Sequence, residues 1–286
     1  MHVPVMLAEA LEYLAVRPDG LYVDATTGLG GHTAAIAERL TTGRVIALDR
    51  DAESLELARR NTQQFADRIR YQQARFSELR RALMGLGVER VDGLLADLGV
   101  SRYQLTEPER GFTLAASGPL DMRMDRTSGE TAADVVNTTD ERQLADLIYQ
   151  LGEERRARRI ARAIVRARPI RDTLHLARVV EEAAPRTGRL HPATQTFMAL
   201  RRAVNREVEE LNALLEAAPD AVAGGGRIVV ITFMSLEDRQ VKEAFRKLAQ
   251  QGRARILTRH VLKPSEEEIE SNPASRSAKL RAVEMK

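Results

Sequence analysis

The chain has 286 residues, of which 43% are hydrophobic and 30% charged, with a formal net charge of +3 and no cysteine. That length supports one large domain with an insertion, or two domains. The missing thiols exclude disulfides and thiolate metal sites, as expected for a protein of a reducing, cytoplasmic compartment.

The five histidines, His2, His32, His175, His191 and His260, form no HExxH or other close pair, so no metal site is expected. No window reaches 18 uninterrupted apolar residues, and the N-terminus has no basic stretch followed by an apolar core, so neither a membrane span nor a targeting segment is expected. Arginine supplies 39 of the 44 cations. Its planar fork suits phosphates and stacked bases, with compositional bias as the competing explanation. At so small a net charge, a polyanion would have to be met by a local patch.

In chain order, Pro4 and Val5 lead into a helix over 7–14 that Pro18, Asp19 and Gly20 close, a lid or a flank for the first strand. Leu21, Val23 and Ala25 then mark that short strand. Gly28, Gly30 and Gly31 make a turn, and 33–40 has helical apolar spacing. A strand, a glycine turn and a helix leave main-chain N–H groups free beside a ligand, which is how nucleotides are held. In a GxGxxG reading Thr33 stands at the third glycine, which weakens the dinucleotide case. A second strand over 44–48 ends in Asp49, 21 positions past Gly28. A ribose-binding acid belongs roughly 20 residues on. A GxGG turn with such an acid and no phosphate-binding lysine is similar to the loop of S-adenosylmethionine (AdoMet) methyltransferases. A purely structural turn is the competing reading.

A helix over 52–64 leads to a strand over 69–76, whose terminal Phe76 could lie against an adenine or simply fill the core. A helix over 77–86 and a strand over 91–98 come next, the latter delivering Asp97 at its carboxyl end, where ligands sit in open α/β sheets. The polar, Gly- and Pro-containing run after it predicts a substrate loop. From there the βα rhythm stops, and helices are expected over 134–151, 153–168, 174–184 and 194–218. One of them carries Arg155, Arg158 or Arg159, Arg162 and Arg166 on one face, either a nucleic-acid surface or a solvated face paired with Glu153 and Glu154. A strand over 227–233, a helix, and two late strands over 253–261 and 278–285, joined by a Pro-, Ser- and Glu-rich loop, resume the sheet. The predicted organisation is an interrupted α/β core, 1–104 plus 217–286, around a mainly helical insertion, 105–216.

Taken jointly, HVPVML, DATTGLGGHT, ALDRD, DLGVSRYQL, RGF, GPLDMRMD, YQLGEER, TFMALRRAVN, FMSLEDR and NPASRSAKLR resemble the MraW family over nearly the whole chain. The resemblance implies a Rossmann-like class I methyltransferase core whose helical insertion recognises substrate. It implies AdoMet-dependent methylation of the exocyclic N4 of a cytidine in the decoding region of 16S rRNA, with that RNA or the small ribosomal subunit as partner. It places Gly30, Gly31 and His32 on the cofactor loop, next to the Gly28 that the turn itself supplies as a cofactor-binding candidate, makes Asp49 the ribose acid, and adds Phe76, Asp97 and Gln104 as cofactor contacts. Arg123, Arg201, Asn205 and Arg239 become candidate RNA contacts, each with an internal ion pair or hydrogen bond as the alternative. The chain departs from the family pattern at Arg102, Met198 and Met234. Methionine cannot accept a proton, so a mechanism needing an imidazole at 234 is in doubt.

For the chemistry, Asp97 or a main-chain carbonyl of loop 98–101 is the expected acceptor of an amino proton, and Tyr103 the expected stacking partner of the base. The catalytic candidates are therefore Asp97, Ser101 and Tyr103. Two other readings stay open, a nicotinamide-dependent oxidoreductase on the same fold and a non-catalytic nucleic-acid-binding protein. The residues leave monomer and homodimer equally open.

Overall fold

The computed structural model describes residues 4–186 and 191–286, so His2 lies outside the described residues. The chain divides into two compact units, Met1–Val100 with Val208–Lys286, and Ser101–Glu207. The first opens with α1 (Leu7–Leu14) and β1 (Leu21–Asp24), then alternates through α2 (Gly31–Arg39), β2 (Arg44–Asp49), α3 (Ala52–Asn61), β3 (Ile69–Gln73), α4 (Leu79–Gly85) and β4 (Val91–Asp97). The second contains α5 (Arg102–Thr106), α6 (Ala132–Thr138), α7 (Glu141–Gly152), α8 (Ala157–Arg166), α9 (Thr173–Ala183) and α10 (Thr194–Val204). The chain then returns through α11 (Glu207–Ala221), β5 (Val222–Thr232), α12 (Ser235–Gln250), β6 (Ala254–Ile256), α13 (Glu266–Ser271) and β7 (Lys279–Met285).

These strands form one seven-stranded sheet in the order β3-β2-β1-β4-β5-β7-β6. The first five are mutually parallel, and β7 runs antiparallel between β5 and β6. This is the Rossmann-like class I methyltransferase arrangement. Its central strands are buried runs because helices cover both faces, and side chains alternate between two cores. Val23, Leu94 and Val230 pack with Leu83, Leu214 and Phe245 on one face. Tyr22, Leu95 and Val229 pack with Leu11, Leu14 and Ile36 on the other.

Several local features depart from the sequence reading, among them the strand expected over 253–261, which forms only as Ala254–Ile256. The helix expected over 134–151 is two, because Asp140 accepts hydrogen bonds from the amides of Arg142 and Gln143 and starts α7 afresh. The helix expected over 194–218 also breaks, at Asn205 and at Arg206, whose φ is +49°. Part of the supposed loop after β4 is α5, since Ser101 and Gln104 form a reciprocal capping box. Part of the loop before β7 is α13, capped by Ser265.

The strand order places a switch point at β1. The chain moves from β1 outward to β2 and β3, and β4 occupies the other side of β1. At such a point the connections leave a crevice at the carboxyl ends of the strands.

Candidate active site

Three carboxylates stand at that crevice, one at the carboxyl end of each of β1, β2 and β4: Asp24, Asp49 and Asp97. Asp24 is fully buried; its Oδ1 accepts the Thr26 amide at 3.1 Å and its Oδ2 the Thr33 hydroxyl at 2.6 Å. Burial, only partly offset by these bonds, raises its pKa to about 6. The Thr26 hydroxyl also bonds Asp24, and its oxygen accepts the Asp97 amide at 2.6 Å. Asp24 thus ties the end of β1 to the end of β4 through Thr26.

Asp49 faces the glycine turn. Its Oδ2 accepts the Gly28 amide at 2.8 Å and its Oδ1 the Asp51 amide at 2.9 Å. Burial pushes its pKa up to about 6, against those two bonds. A carboxylate has about four acceptor sites, so both oxygens retain lone pairs for a ligand's hydroxyls. The turn is fastened to β2 a second time, because the Thr27 amide and hydroxyl both donate to the Leu48 carbonyl, at 3.0 and 2.9 Å. Gly30 has φ +89°, and a Cβ there would stand 2.8 Å from Thr62 Cγ2, so both conformation and space call for glycine.

The segment before α1 lies against this turn. A Cβ on Gly31 would sit 2.5 Å from the Pro4 ring, and the carbonyl of Val5 bonds His32 Nε2 at 3.1 Å. A carbonyl can only accept, so Nε2 donates, and the other ring nitrogen is Nδ1. That nitrogen is 3.7 Å from Asp97 Oδ2. The segment is anchored in turn by Glu268 of α13, whose Oε1 accepts the amide of the fully buried Met6 at 2.7 Å. Asp97 Oδ1 is buried and has no hydrogen-bond partner among the described residues. Burial, with the charge of Asp24 added, raises the Asp97 pKa well above the usual carboxylate range.

Phe76 comes after β3 on the same edge of the sheet. It begins the short turn Phe76–Glu78 instead of ending the strand as expected, and it is half-buried against the core. In the helical unit, Ser101 Oγ accepts the Gln104 amide at 3.2 Å, and Gln104 Oε1 accepts the Ser101 amide at 2.9 Å. Both side chains are thereby engaged in starting α5. The Tyr103 ring has the buried Arg110 guanidinium 5.8 Å from its centroid, so one face is already occupied.

The four arginine and asparagine candidates separate. Arg123 forms a two-pronged pair with Asp121 at 2.7 and 3.1 Å, and Arg201 another with Glu207 at 2.8 and 2.8 Å. Asn205 is buried, its amide bridging the Met124 amide and the Met122 and Arg201 carbonyls. Its hydrogen bonds go to main chain that holds the helical unit together. Arg239 differs. Its expected partners are committed elsewhere, Asp238 to Arg281 at 2.6 Å and Glu237 to the amides of Phe233 and Met234, which leaves an exposed guanidinium. Position 234 is the N-cap of α12, and its amide donates to Glu237 Oε2 at 3.2 Å.

The model of the MraW methylase family matches residues 1–286, the full chain. The chain belongs to the MraW methylase family. A relative from Solibacter usitatus, named ribosomal RNA small subunit methyltransferase H, is 66% identical over 286 residues, 100% of both chains. A protein of the same name from Acidobacterium capsulatum is 52% identical, covering 100% of this chain and 98% of its own. A solved rRNA methylase from Streptococcus thermophilus aligns at 12% identity over 100% of this chain and 99% of its own, with a TM-score of 0.48, too distant to carry an argument.

This MraW chain is a methyltransferase whose cofactor is AdoMet, and the residues of its crevice fit that molecule. The lone pairs left open on Asp49 would suit the two ribose hydroxyls of AdoMet. AdoMet carries no pyrophosphate, and Thr33, at the third glycine of a dinucleotide loop, is spent on Asp24. The oxidoreductase reading is thereby set aside. Among the described residues no cluster of His, Cys, Asp and Glu could hold a metal, and no helix is long and apolar enough to cross a membrane. Sequence reasoning passed over Asp24, although its strand-end position is the same clue that singled out Asp49 and Asp97. Glu268 carried no such clue, since it meets Met6 across 262 positions.

Proposed function

We propose that this enzyme transfers the AdoMet methyl group to the exocyclic N4 of a cytidine in the decoding region of 16S rRNA, presented as free RNA or within the small ribosomal subunit. The observation that carries the reading is Asp97 Oδ1, a buried acceptor beside the glycine turn without a partner among the described residues. The names of the relatives support the RNA class.

A cytosine amino group is a weak nucleophile because its lone pair is delocalised into the ring. When bound, AdoMet supplies an electrophilic methyl. This chain's own residues position, and they accept protons. Gly28, Gly30, Gly31 and His32 shape the loop, Asp49 holds the ribose, and Phe76 lies against the adenine. Asp97 accepts a hydrogen bond from the amino group, restoring electron density to the nitrogen, and takes up the proton that must leave as the N–C bond forms. Burial makes it a stronger base than an ordinary carboxylate once ionised. Holding the amine in line contributes most, since orientation alone supplies about 7–11 kcal/mol. Gln104 as a cofactor contact belongs to the proposal through the family likeness only, and Tyr103 and Ser101 at the base through the chemistry asked of the segment after β4. The helical unit is assigned to RNA recognition, and Arg239 to a phosphate.

The test is transfer of labelled methyl from AdoMet to small subunits lacking the modification, followed by nucleoside mass analysis. N4-methylcytidine is the expected product. Label on another base, or none, sinks the reading.

A further inference from the structure

We propose that the outer face of α8 is a second RNA-contacting surface, one that grips the phosphate backbone of the substrate without reading bases. This deepens the proposed function and rests on RNA being the substrate.

Between Arg155 and Arg171 the chain carries eight arginines and no acid. In α8, Ala157, Ile160, Ala161 and Ile164 are buried. At about 3.6 residues per turn, Arg158, Arg159, Arg162 and Arg166 fall on the opposite side, and all four are exposed. The carboxylates expected to neutralise them are elsewhere. Glu154 is buried and committed to Arg156 at 3.1 Å, and the exposed Glu153, whose main chain ends α7, forms no ion pair with them among the described residues. Of the four, only Arg162 has an ion pair among the described residues, with Glu141 at 3.4 Å between exposed side chains.

Arginines at spacings of three and four repel one another and weaken the helix that carries them. A polyanion turns that repulsion into attraction. The stripe from Arg158 to Arg166 is about 12 Å long, enough to follow several phosphates of one strand, and guanidinium forks suit phosphate geometry. None of the exposed large apolar side chains lies on α8, so the face lacks the insertion groups a lipid surface would use.

The test compares wild type with a variant combining Arg158→Gln, Arg159→Gln and Arg166→Gln, and with a control combining Arg246→Gln, Lys247→Gln and Lys263→Gln, exposed cations of the α/β unit. Binding of a decoding-region transcript is measured across a salt series. The α8 variant is expected to bind at least about tenfold more weakly near 0.1 M salt, with the slope of log affinity against log salt reduced by about two. The control slope should hold, and AdoMet affinity should be unchanged. Because helix repulsion is relieved, the α8 variant should melt no lower than wild type. If it does not fold, Arg158→Gln and Arg166→Gln singly should each lower the slope by somewhat less than about one. An unchanged slope, an equal fall in the control, or binding to anionic vesicles in place of the transcript overturns the proposal. A wild type that methylates no RNA overturns the proposed function itself, so the two failures are distinguishable.

Discussion

At the scale of single residues, the crevice is governed by carboxyl groups held in unfavourable surroundings. Losing the charged ribose contact in Asp49→Ala should cost about 1.5–3 kcal/mol, roughly ten- to a hundredfold in AdoMet affinity by calorimetry; an unchanged constant would remove Asp49 from the site. The pH dependence comes from its raised pKa, about 6. Only the ionised form accepts from two hydroxyls, so AdoMet affinity should be level above about pH 7 and decline by up to about tenfold per unit below pH 6. Asp97 is tested by Asp97→Asn, which keeps the size of the side chain and removes the accepting carboxylate. Turnover of that variant should fall by on the order of a hundredfold. Activity within a few fold of wild type would exclude Asp97 as the acceptor.

At the scale of elements, the glycine turn is held from two directions. β2 fixes it through Leu48 and Asp49, and the segment before α1 covers it through Pro4 and Val5. That second support depends on α13, because Glu268 anchors Met6. Removing the anchor in Glu268→Ala should weaken AdoMet binding by about 1 kcal/mol, roughly fivefold, while Glu268→Gln, which keeps an accepting oxygen, should restore most of it. Equal affinity in wild type and the alanine variant would mean that the segment holds its place without α13.

At the scale of the whole molecule, the buried acids make ligand-free stability depend on pH in a particular direction. Asp24 and Asp49 have folded pKa values of about 6, above the ordinary 3.8. The folded state therefore binds more protons than the unfolded chain between those values, and stability falls as pH rises through that window. Thermal melts of the ligand-free enzyme should drop from pH 4.5 to pH 7, on the order of the window set by these groups, and Asp24→Asn should flatten the decline. AdoMet at 100 times its dissociation constant should restore about 2.7 kcal/mol. A melting point that rises across the window in wild type would contradict the burial of both acids.

Much of this was legible in the chain itself. Period and punctuation located the strands carrying Asp49 and Asp97, the glycine turn and the late pair of strands, because buried parallel strands and tight turns impose local requirements on residue type. Helix breaks at Asp140 and Asn205, and α5 within a supposed loop, were missed. Asp140 and Ser101 are capping residues that an apolar pattern overlooks, and Asn205 leaves the helix to satisfy main chain at Met122 and Met124, more than eighty positions away.

The amino-acid sequence by itself determined the fold class, the family and which strand ends carry acids, since each is written in near neighbours. Only the tertiary structure decided which charges are spent. Whether an arginine is locked in a pair, as Arg201 is, or left to solvent, as Arg239 is, and whether a carboxyl is sated, as Asp24 is, or keeps an orphaned oxygen, as Asp97 does, depends on groups far apart along the chain. Hydrogen bonds and desolvation act over a few ångströms of space, and no spacing along a chain reports that distance.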